Sequence, residues 1–332
     1  MIESIQFKNF KALKKTKLPL GQFTLIVGPN GSGKTTALQG IVSLWASPLS
    51  FDQVRSVGVA QTQEVIVSAS WREGEGVFDV TTRWAQHAGP SNGIRAVTSG
   101  AAGLTQKVQE RLSRIRFFSF DPNAIAQDVP LQPGVELQPN GQYLAVVLDR
   151  LRDQHPERFE SLNEELHRWL PEFNRILFDT PSQGHRRLGL RTSEGGHRIG
   201  ARELSQGTLI ALALLTLAYL PEPPSVVCLE EPDHGLHPRL LRDVQDAMYR
   251  LAYPESSGEK RSAVQVIATT HNPYFLDLFR EHPEEIVIAE KVGLEAKFSR
   301  LSDRTDLNEI LGDAHLGDVW YSGVLGGVPA GT

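Results

Sequence analysis

The chain has 332 residues, of which 40% are hydrophobic and 22% are charged, and its formal net charge is −5. This length is sufficient for a sizeable core, in one large domain or two modest ones. The composition is that of an ordinary globular protein, and the negative charge argues against a global basic field that would attract nucleic acid.

Three features predict a cytoplasmic protein without a membrane partner. The single cysteine, Cys228, excludes an internal disulfide and suits a reducing compartment. Met1 leads directly into the alternating segment IESIQFKNF, which does not resemble a signal peptide. The longest apolar run, residues 209–220, is shorter than the roughly 20 residues of a bilayer span and is expected to form a buried helix.

The N-terminal segment carries a run of lysines that is a candidate for a local basic face. The run consists of Lys8, Lys11, Lys14, Lys15 and Lys17. The plainer interpretation, which we favour, is that these lysines form the solvated face of a surface hairpin.

The first third of the chain is expected to be rich in β-structure. Alternating apolar residues at Ile2, Ile5 and Phe7 predict an edge strand, and QFTLIVG predicts a buried strand that leads into a glycine-rich loop and a helix over residues 34–45. The segments EVIVSASW and VFDVTTRW predict a pair of strands, and residues 115–120 predict another.

The middle of the chain changes to a helical pattern. Apolar residues of the segment from residue 140 to residue 173 fall on one helical face on each side of a break at Pro156. We expect residues 121–185 to form an inserted helical subdomain. Helices and strands then alternate to the end of the chain, which predicts a parallel sheet covered by helices.

The segment GPNGSGKTT, residues 28–36, matches the pattern of a phosphate-binding loop. Its glycines allow backbone N–H groups to surround phosphates, Lys34 supplies a positive charge, and the Thr35 hydroxyl can bind Mg²⁺. The loop follows a predicted strand and precedes a predicted helix, which is the context that supports this interpretation over an ordinary glycine-rich turn.

Two adjacent carboxylates, Glu230 and Glu231, end a predicted buried strand over residues 226–229. Burial of a carboxylate is costly unless it is paired. A phosphate-bound Mg²⁺ needs a carboxylate at the end of a neighbouring parallel strand. We therefore expect Glu230 to hold the metal and Glu231 to polarise the water that attacks the γ-phosphate of ATP.

Two further motifs have functional and structural interpretations. Ser205 and Gly207 precede a predicted helix whose N-terminus can bind an anion, although an ordinary N-cap serine would explain the motif when it is taken alone. His271 ends an apolar strand that is expected to neighbour the strand over residues 226–229. At such a position a histidine can contact a γ-phosphate.

These motifs, in this order, resemble those of the ATP-binding-cassette ATPases, in the branch that includes the SMC, RecF and OLD-type proteins. GPNGSGKT resembles the Walker A loop, LSQG the signature loop, CLEEP Walker B with its catalytic glutamate, DHGLHP the D-loop and TTHNP the switch histidine. The segments LQPNGQYLAVVLDRL and LGDVWYSGVLGG resemble those of OLD-like ATPases. The resemblance covers nearly the whole chain.

Three positions depart from the common pattern. Glu230 stands where most cassettes have aspartate, and the signature reads Ser-Gln-Gly rather than Ser-Gly-Gly. A Q-loop glutamine is not assignable, and Gln127 is a weak candidate. The alternative that His234 and His237 form a metal site with Glu231 is less favoured, because the D-loop explains the whole stretch.

The resemblance implies an α/β P-loop NTPase with an ABC-ATPase-like sheet core, an antiparallel β part and the inserted helical subdomain. It implies one ATPase domain over residues 1–332, with an N-terminal lobe over 1–120 and a C-terminal lobe over 186–332. ATP and Mg²⁺ are the implied cofactors, and a homodimer that sandwiches ATP is the implied assembly.

The resemblance also implies roles for the site residues. Glu231 and His271 are the implied catalytic residues, and Thr35 and Glu230 the implied metal ligands. The implied nucleotide-binding residues, from the loop and the signature, are Asn30, Gly31, Ser32, Gly33, Lys34, Thr35, Thr36, Ser205, Gln206 and Gly207.

Three uses of such an ATPase remain open from the sequence. The first is an ATPase of anti-phage defence or DNA maintenance that gates a Toprim-like nuclease subunit in trans. The second is a RecF-like DNA-repair clamp without a nuclease. The third, a transporter subunit, is disfavoured by the helical insert and the OLD-like tail. No Asp-x-Asp pair follows His271, so we expect any cutting of DNA to come from a partner.

Overall fold

The computed structural model describes residues 1–45, 49–74, 76–85, 94–98, 102–293, 295–312 and 314–326. Gly327, the last residue of the OLD-like tail motif, lies outside this set. The chain forms two compact units. The first comprises Met1–Phe117, Pro224–Glu230 and Ala263–Thr332, and the second comprises Phe118–Pro223 and Glu231–Ser262.

The strands, in chain order, are β1 (Ile2–Phe10), β2 (Leu13–Pro19), β3 (Phe23–Val27), β4 (Val65–Glu73), β5 (Gly76–Trp84), β6 (Ile94–Thr98), β7 (Ile115–Phe118), β8 (Val129–Pro130), β9 (Phe173–Asp179), β10 (His185–Thr192), β11 (Arg198–Gly200), β12 (Val226–Glu230), β13 (Gln265–Thr270), β14 (Ile286–Val292) and β15 (Glu295–Arg300). The α-helices are α1 (Lys34–Ser43), α2 (Phe51–Val54), α3 (Ala102–Ser113), α4 (Pro122–Ile125), α5 (Leu144–Gln154), α6 (Pro156–Trp169), α7 (Gln206–Tyr219), α8 (Leu241–Ala252), α9 (Pro273–Asp277), α10 (Leu307–Leu311) and α11 (Leu316–Tyr321).

An antiparallel sheet in the first unit has the strand order β2-β1-β4-β5-β6. The predicted pairing of the segments that form β4 and β5 is confirmed, with Val65 opposite Trp84. The prediction that the first strand lies at an edge is wrong, because β1 pairs with both β2 and β4. Alternation in the middle of β1 buries Ile5 and Phe7 and exposes Gln6 and Lys8.

The second sheet of the first unit has the order β15-β14-β3-β13-β12-β7. Strand β13 is parallel to β3 and β12, and β14 is parallel to β3, which confirms the predicted parallel core. Strands β3 and β13 are buried along their whole length, as expected for interior strands of a sheet that is covered on both faces. The pairing of β12 with β13 confirms the expected neighbour of the His271 strand.

The second unit combines helices with a small antiparallel sheet. Helix α5 ends before Pro156 and α6 begins there, as predicted. Strand β10 pairs with β8, β9 and β11. The sequence pattern missed β9, in which the burial of side chains does not alternate regularly. The predicted insert, residues 121–185, lies within this unit, which also includes residues 186–223 and 231–262.

The most apolar helix of the second unit, α7, is hydrophobic on all sides. Its residues from Thr208 to Tyr219 are buried, as expected for a helix with no polar face. Among the described residues, no helix is both long enough and apolar enough to cross a membrane.

A half-buried carboxylate, Glu259, joins three arginines in the second unit. It accepts hydrogen bonds from Arg158 at 3.3 Å and Arg261 at 2.6 Å, and a third from Arg250. Burial raises the pKa of Glu259, but the hydrogen bond from Arg261 and the charges of the three guanidinium groups outweigh burial. The pKa therefore lies below its ordinary value of 4.5.

We expect the substitution Glu259→Gln to lower the free energy of unfolding by about 3 kcal/mol at neutral pH, since it leaves partly buried guanidinium groups without their counter-charge. Because the folded-state pKa is depressed, the carboxylate stabilises the fold above the unfolded-state pKa, and this contribution disappears as pH falls through the folded-state pKa. Denaturant unfolding at a series of pH values measures the difference between the variant and the native chain.

The exposed Glu255→Gln is the matched control, which should leave stability nearly unchanged. The difference in free energy of unfolding between the native chain and Glu259→Gln should shrink at acid pH. A difference that stays constant into the acid range would contradict an ionic origin of the stabilisation.

Candidate active site

The loop over residues 28–33 joins the end of β3 to the start of α1, and its shape requires glycine at two positions. Gly31 and Gly33 have φ values of 78° and 96°, in the left-handed region that favours glycine. A Cβ atom on Gly33 would lie 2.8 Å from the Cβ of Ala296, and one on Gly28 would lie 2.4 Å from the carbonyl oxygen of Ala289. The loop is therefore held against β14 and β15 by close backbone approach.

Two side chains of this loop suit an anion. The Nζ of Lys34 is buried beneath the loop and donates to the carbonyl oxygens of Gly28 at 2.6 Å and Pro29 at 3.1 Å. The Ser32 hydroxyl is buried and has no hydrogen-bond partner among the described residues. A buried polar atom of this kind needs a partner. A phosphate group fits that need, and Lys34 supplies the balancing charge.

The register of the parallel strands brings three chain segments to one edge of the sheet. Thr270 at the end of β13 is aligned with Val27 at the end of β3, and Thr269 is aligned with Glu230 at the end of β12. The N–H of Gly28 donates to the carbonyl oxygen of Thr270 at 3.4 Å. The phosphate loop, the first carboxylate and the residues before His271 therefore share one edge.

The two predicted metal ligands are brought into contact. The hydroxyl of Thr35 donates a hydrogen bond to a carboxylate oxygen of Glu230. Both groups are oxygen ligands of the kind that Mg²⁺ prefers, and Mg²⁺ is usually held by one or two protein ligands together with water and substrate phosphates. The pair fits a magnesium ion that bridges the protein and a nucleotide.

His271 is exposed and lies just beyond β13. The segment after it is held in place by a helix cap, in which the Asn272 side chain accepts a hydrogen bond from the N–H of Tyr274 at 3.0 Å, with Pro273 at the first position of α9. This cap fixes the direction in which the chain leaves the strand.

Glu231 belongs to the second unit and has an unusual backbone. Its φ is 44°, in the left-handed region that a residue with a side chain rarely adopts. Its carbonyl oxygen accepts a hydrogen bond from the N–H of His234 at 2.9 Å, which closes a turn directly after the strand. Strained residues of this type are concentrated at functional sites.

The predicted signature residues begin α7 in the second unit. Ser205 is the N-cap, and its hydroxyl accepts a hydrogen bond from the N–H of Thr208 at 3.1 Å. Ser205, Gln206 and Gly207 line a cavity of about 490 Å³. The helix N-terminus carries a partial positive charge, so this cavity suits an anion.

The sequence did not predict that the D-loop residue His237, or Arg239 and Glu172, would line this cavity. His237 and Arg239, from the segment after Glu231, and Glu172 also line it. The segment after Glu231 packs closely against the start of α7. A Cβ atom on Gly207 would lie 2.9 Å from the carbonyl oxygen of Gly235. The sequence feature that could have predicted this contact is the presence of glycine at positions 207 and 235. Only the tertiary structure shows that these two glycines pack against each other.

The two secondary interpretations gain no support. The described part of the chain contains no group of three or more His, Cys, Asp and Glu side chains that could hold a metal, so His234 and His237 form no such centre with Glu231. Gln127, the weak Q-loop candidate, lies in the second unit, where its side chain accepts a hydrogen bond from Gln142 at 3.2 Å.

Solved structures with the same fold include three of SMC or RecF proteins. The SMC head domain from Thermotoga maritima has a TM-score of 0.53 and 17% identity, and covers 90% of this chain and 98% of its own. An SMC head bound to the C-winged-helix domain of ScpA has a TM-score of 0.62 and 15% identity, with coverages of 91% and 99%. The recombination mediator protein RecF, in its structure with ATPrS, has a TM-score of 0.51 and 12% identity, with coverages of 90% and 98%.

Two sequence relatives agree with this fold. An OLD nuclease of Thermus scotoductus is 25% identical over 365 residues, which cover 96% of this chain and 68% of the relative. A chromosome partition protein Smc of Methanococcus voltae is 54% identical over 41 residues, which cover 12% of this chain and 3% of the relative.

The fold and the phosphate loop define a P-loop ATPase of the ABC type, in the branch of the SMC, RecF and OLD proteins. The chain belongs to the family described as "AAA domain, putative AbiEii toxin, Type IV TA system", whose model matches residues 23–277. It therefore binds and hydrolyses ATP.

We expect Lys34→Ala and Glu231→Gln to separate nucleotide binding from hydrolysis. Lys34→Ala removes the buried charge beneath the loop and should weaken ATP binding at least about tenfold. Glu231→Gln should leave binding intact and lower the hydrolysis rate by about 100-fold or more, since an amide cannot accept a proton. Titration with a fluorescent ATP analogue and measurement of phosphate release report the two effects.

The exposed residues Lys291 and Glu222 provide matched controls as Lys291→Ala and Glu222→Gln. If Lys34→Ala binds ATP with native affinity, the assignment of residues 28–36 as a phosphate loop is wrong. If Glu231→Gln hydrolyses ATP at the native rate, another group activates the water.

Proposed function

We propose that ATP closes two copies of this chain on each other and that hydrolysis opens them again. In the proposed dimer, one protomer supplies Lys34, Thr35, Glu230, Glu231 and His271 to each ATP, and the other supplies Ser205 and Gly207. The observation that carries this proposal is the cavity at the start of α7, which is lined by Ser205, Gln206 and Gly207 of the second unit, whereas the phosphate loop belongs to the first unit.

Each group has a role that its chemistry supports. Lys34 and the loop N–H groups hold the β- and γ-phosphates, and Thr35 and Glu230 hold Mg²⁺, which neutralises charge on the phosphates. Glu231 orients and polarises the attacking water, and His271 contacts the γ-phosphate. Because the γ-phosphate contacts exist in the closed state, loss of the γ-phosphate shifts the equilibrium towards the open state.

We further propose that the clamp gates a nuclease subunit, of the Toprim-like class, in anti-phage defence or DNA maintenance. The support is the similarity to an OLD nuclease along 96% of the chain. The family description also names a toxin of a toxin–antitoxin system, which agrees with a defence role. No Asp-x-Asp pair follows His271, so the sequence offers no second acidic centre there for cutting DNA.

A RecF-like clamp without a nuclease is the second candidate. The support for this candidate is the similarity in fold to RecF along 90% of the chain. ATP-driven closure of a dimer suits a clamp of this kind equally well. The two candidates differ in whether a nuclease accompanies the ATPase.

Complementation between two inactive variants tests the shared site. Ser205→Arg places a bulky cation at the helix N-terminus and should block hydrolysis without loss of nucleotide binding. A mixed dimer of Ser205→Arg and Lys34→Ala has one site with both defects and one site with neither. Phosphate release should therefore reappear on mixing.

Mixing each variant with itself provides the control. If mixed dimers form, as shown by differently tagged copies, and hydrolysis does not return, then the simple two-site sharing proposed here is incorrect.

The purified chain should not cut DNA by itself. Its carboxylates at the end of β12 are used for ATP, so linear and supercoiled DNA should stay intact with Mg²⁺ or Mn²⁺.

Native complexes captured through Glu231→Gln with ATP should contain a nuclease whose cutting depends on ATP. Cutting by the pure chain that survives both Glu230→Gln and Lys34→Ala would reveal a second active site and contradict the proposal of a separate nuclease. Captured complexes that are free of nuclease would favour the RecF-like clamp.

A further inference from the structure

The backbone of His271 is tied closely to the start of helix α9, in the same unit of the chain. Helix α9 begins at Pro273, and His271 is the single residue between the end of β13 and the N-cap Asn272. Successive Cα atoms are about 3.8 Å apart. A displacement of the start of α9 therefore displaces His271, whose side chain has a proposed contact with the γ-phosphate.

Helix α9 is too short to hold its position by itself. It has 5 residues, fewer than the roughly 12 that an isolated helix needs for even marginal stability in water. Stacked rings anchor it to the core, since Phe279 lies 5.4 Å from Phe23 of β3 and 5.4 Å from Phe275 of α9, between ring centroids. The position of α9 is therefore set by tertiary contacts.

The C-terminal part of the first unit supplies a second set of contacts. The carboxylate of Asp277, the last residue of α9, accepts a hydrogen bond from the N–H of Gly317 at 2.7 Å. The guanidinium group of Arg280 donates to the carbonyl oxygen of Gly312 at 2.6 Å and to that of Ala314. Helices α9 and α11 also pack against each other. We call this set of bonds the α9–α11 contact.

The approach of α11 to α9 is so close that it requires glycine. Gly317 is buried in α11, and a Cβ atom there would lie 2.4 Å from the carbonyl oxygen of Pro273, the first residue of α9. The obstructing atom belongs to the backbone, so no side-chain rotation can relieve the clash. Glycine destabilises a helix relative to alanine. The reason for glycine at this position is therefore the contact with α9 and not the local structure of α11.

We propose that Asp277 and Gly317 are positioning residues for ATP hydrolysis, which hold the start of α9 so that His271 faces the γ-phosphate. This inference rests on the proposed role of His271. The phosphate loop has a separate support, the close approach of Gly28 and Gly33 to β14 and β15. Loss of the α9–α11 contact should therefore lower the rate of hydrolysis and leave the affinity for ATP unchanged.

Two substitutions break the contact in different ways. Asp277→Ala removes the acceptor of the Gly317 N–H, and Gly317→Ala pushes against the backbone of Pro273. Each should lower kcat about tenfold with native KM, because a misplacement of about 1 Å can cost up to about 100-fold in rate. Asp277→Asn keeps a side-chain oxygen that can accept the same hydrogen bond, and it should retain most of the native kcat. Phosphate release over a series of ATP concentrations measures both constants.

Exposed acidic residues close in sequence provide matched controls, as Glu281→Ala beside α9 and Asp318→Ala in α11. Both controls should keep the native kcat. Hydrogen exchange reports the contact without any measurement of activity. The amides of α9 should exchange faster in Asp277→Ala and Gly317→Ala than in the native chain, and at the native rate in Asp277→Asn. Titration with a fluorescent ATP analogue should give native affinity for all of these variants.

A double-mutant cycle shows whether the contact acts through the histidine. His271→Ala alone should lower kcat at least about tenfold. In the His271→Ala background, Asp277→Ala should cause no further loss, because residues that act through one group are not additive. A further tenfold loss in that background would overturn the inference. Asp277→Asn with as low a kcat as Asp277→Ala would also overturn it.

The inference and the proposed function fail separately. Native turnover in His271→Ala would contradict the proposed contact of His271 with the γ-phosphate, and the positioning role would fall with it. A tenfold loss in His271→Ala, together with native kcat in both Asp277→Ala and Gly317→Ala, would overturn the positioning role alone. Complementation between Ser205→Arg and Lys34→Ala tests the ATP sandwich independently of both.

Discussion

The register between β3, β13 and β12 is the constraint on which the rest of the first unit depends. Alignment of Val27 with Thr270, and of Thr269 with Glu230, makes three strands end at one edge. Parallel strands bind ligands beyond their carboxyl ends, where the connecting loops meet. A shift of one residue would turn each side chain to the opposite face. Thr35 would then lose its contact with Glu230, and the metal ligands would separate.

Close approach of neighbouring segments fixes loops in each of the two units. The phosphate loop lies against β14 and β15 because Gly28 and Gly33 have no Cβ atom, and the start of α7 lies against the D-loop because Gly207 has none. A Cβ atom at any of these three glycines would force the neighbouring segment to shift. The backbone of Glu231 is in the left-handed region. A strained residue of this kind persists only where the surrounding structure holds it in place.

The charges of the molecule divide into two kinds. The ion pairs around Glu259 and the pair of Asp128 with Arg187 join elements within the second unit, and they lower the pKa values of both carboxyl groups. Lys8 on β1 and Lys15 on β2, which are directly opposite each other, form no ion pair with any residue that the structure describes. The first kind stabilises the fold. The second kind is destabilising in the isolated chain, because like charges directly opposite each other on neighbouring strands repel.

The sequence by itself determined the class of the protein, the phosphate loop, the two carboxylates at a strand end and the parallel core, because each depends on short motifs or on the period of local hydrophobicity. Only the tertiary structure decided that β1 is an interior strand, that β9 is a strand, that Gly207 meets Gly235, and that Lys8 and Lys15 are directly opposite each other. Those facts depend on strand order and register, which are set by packing between segments far apart in the chain. No local pattern contains that information.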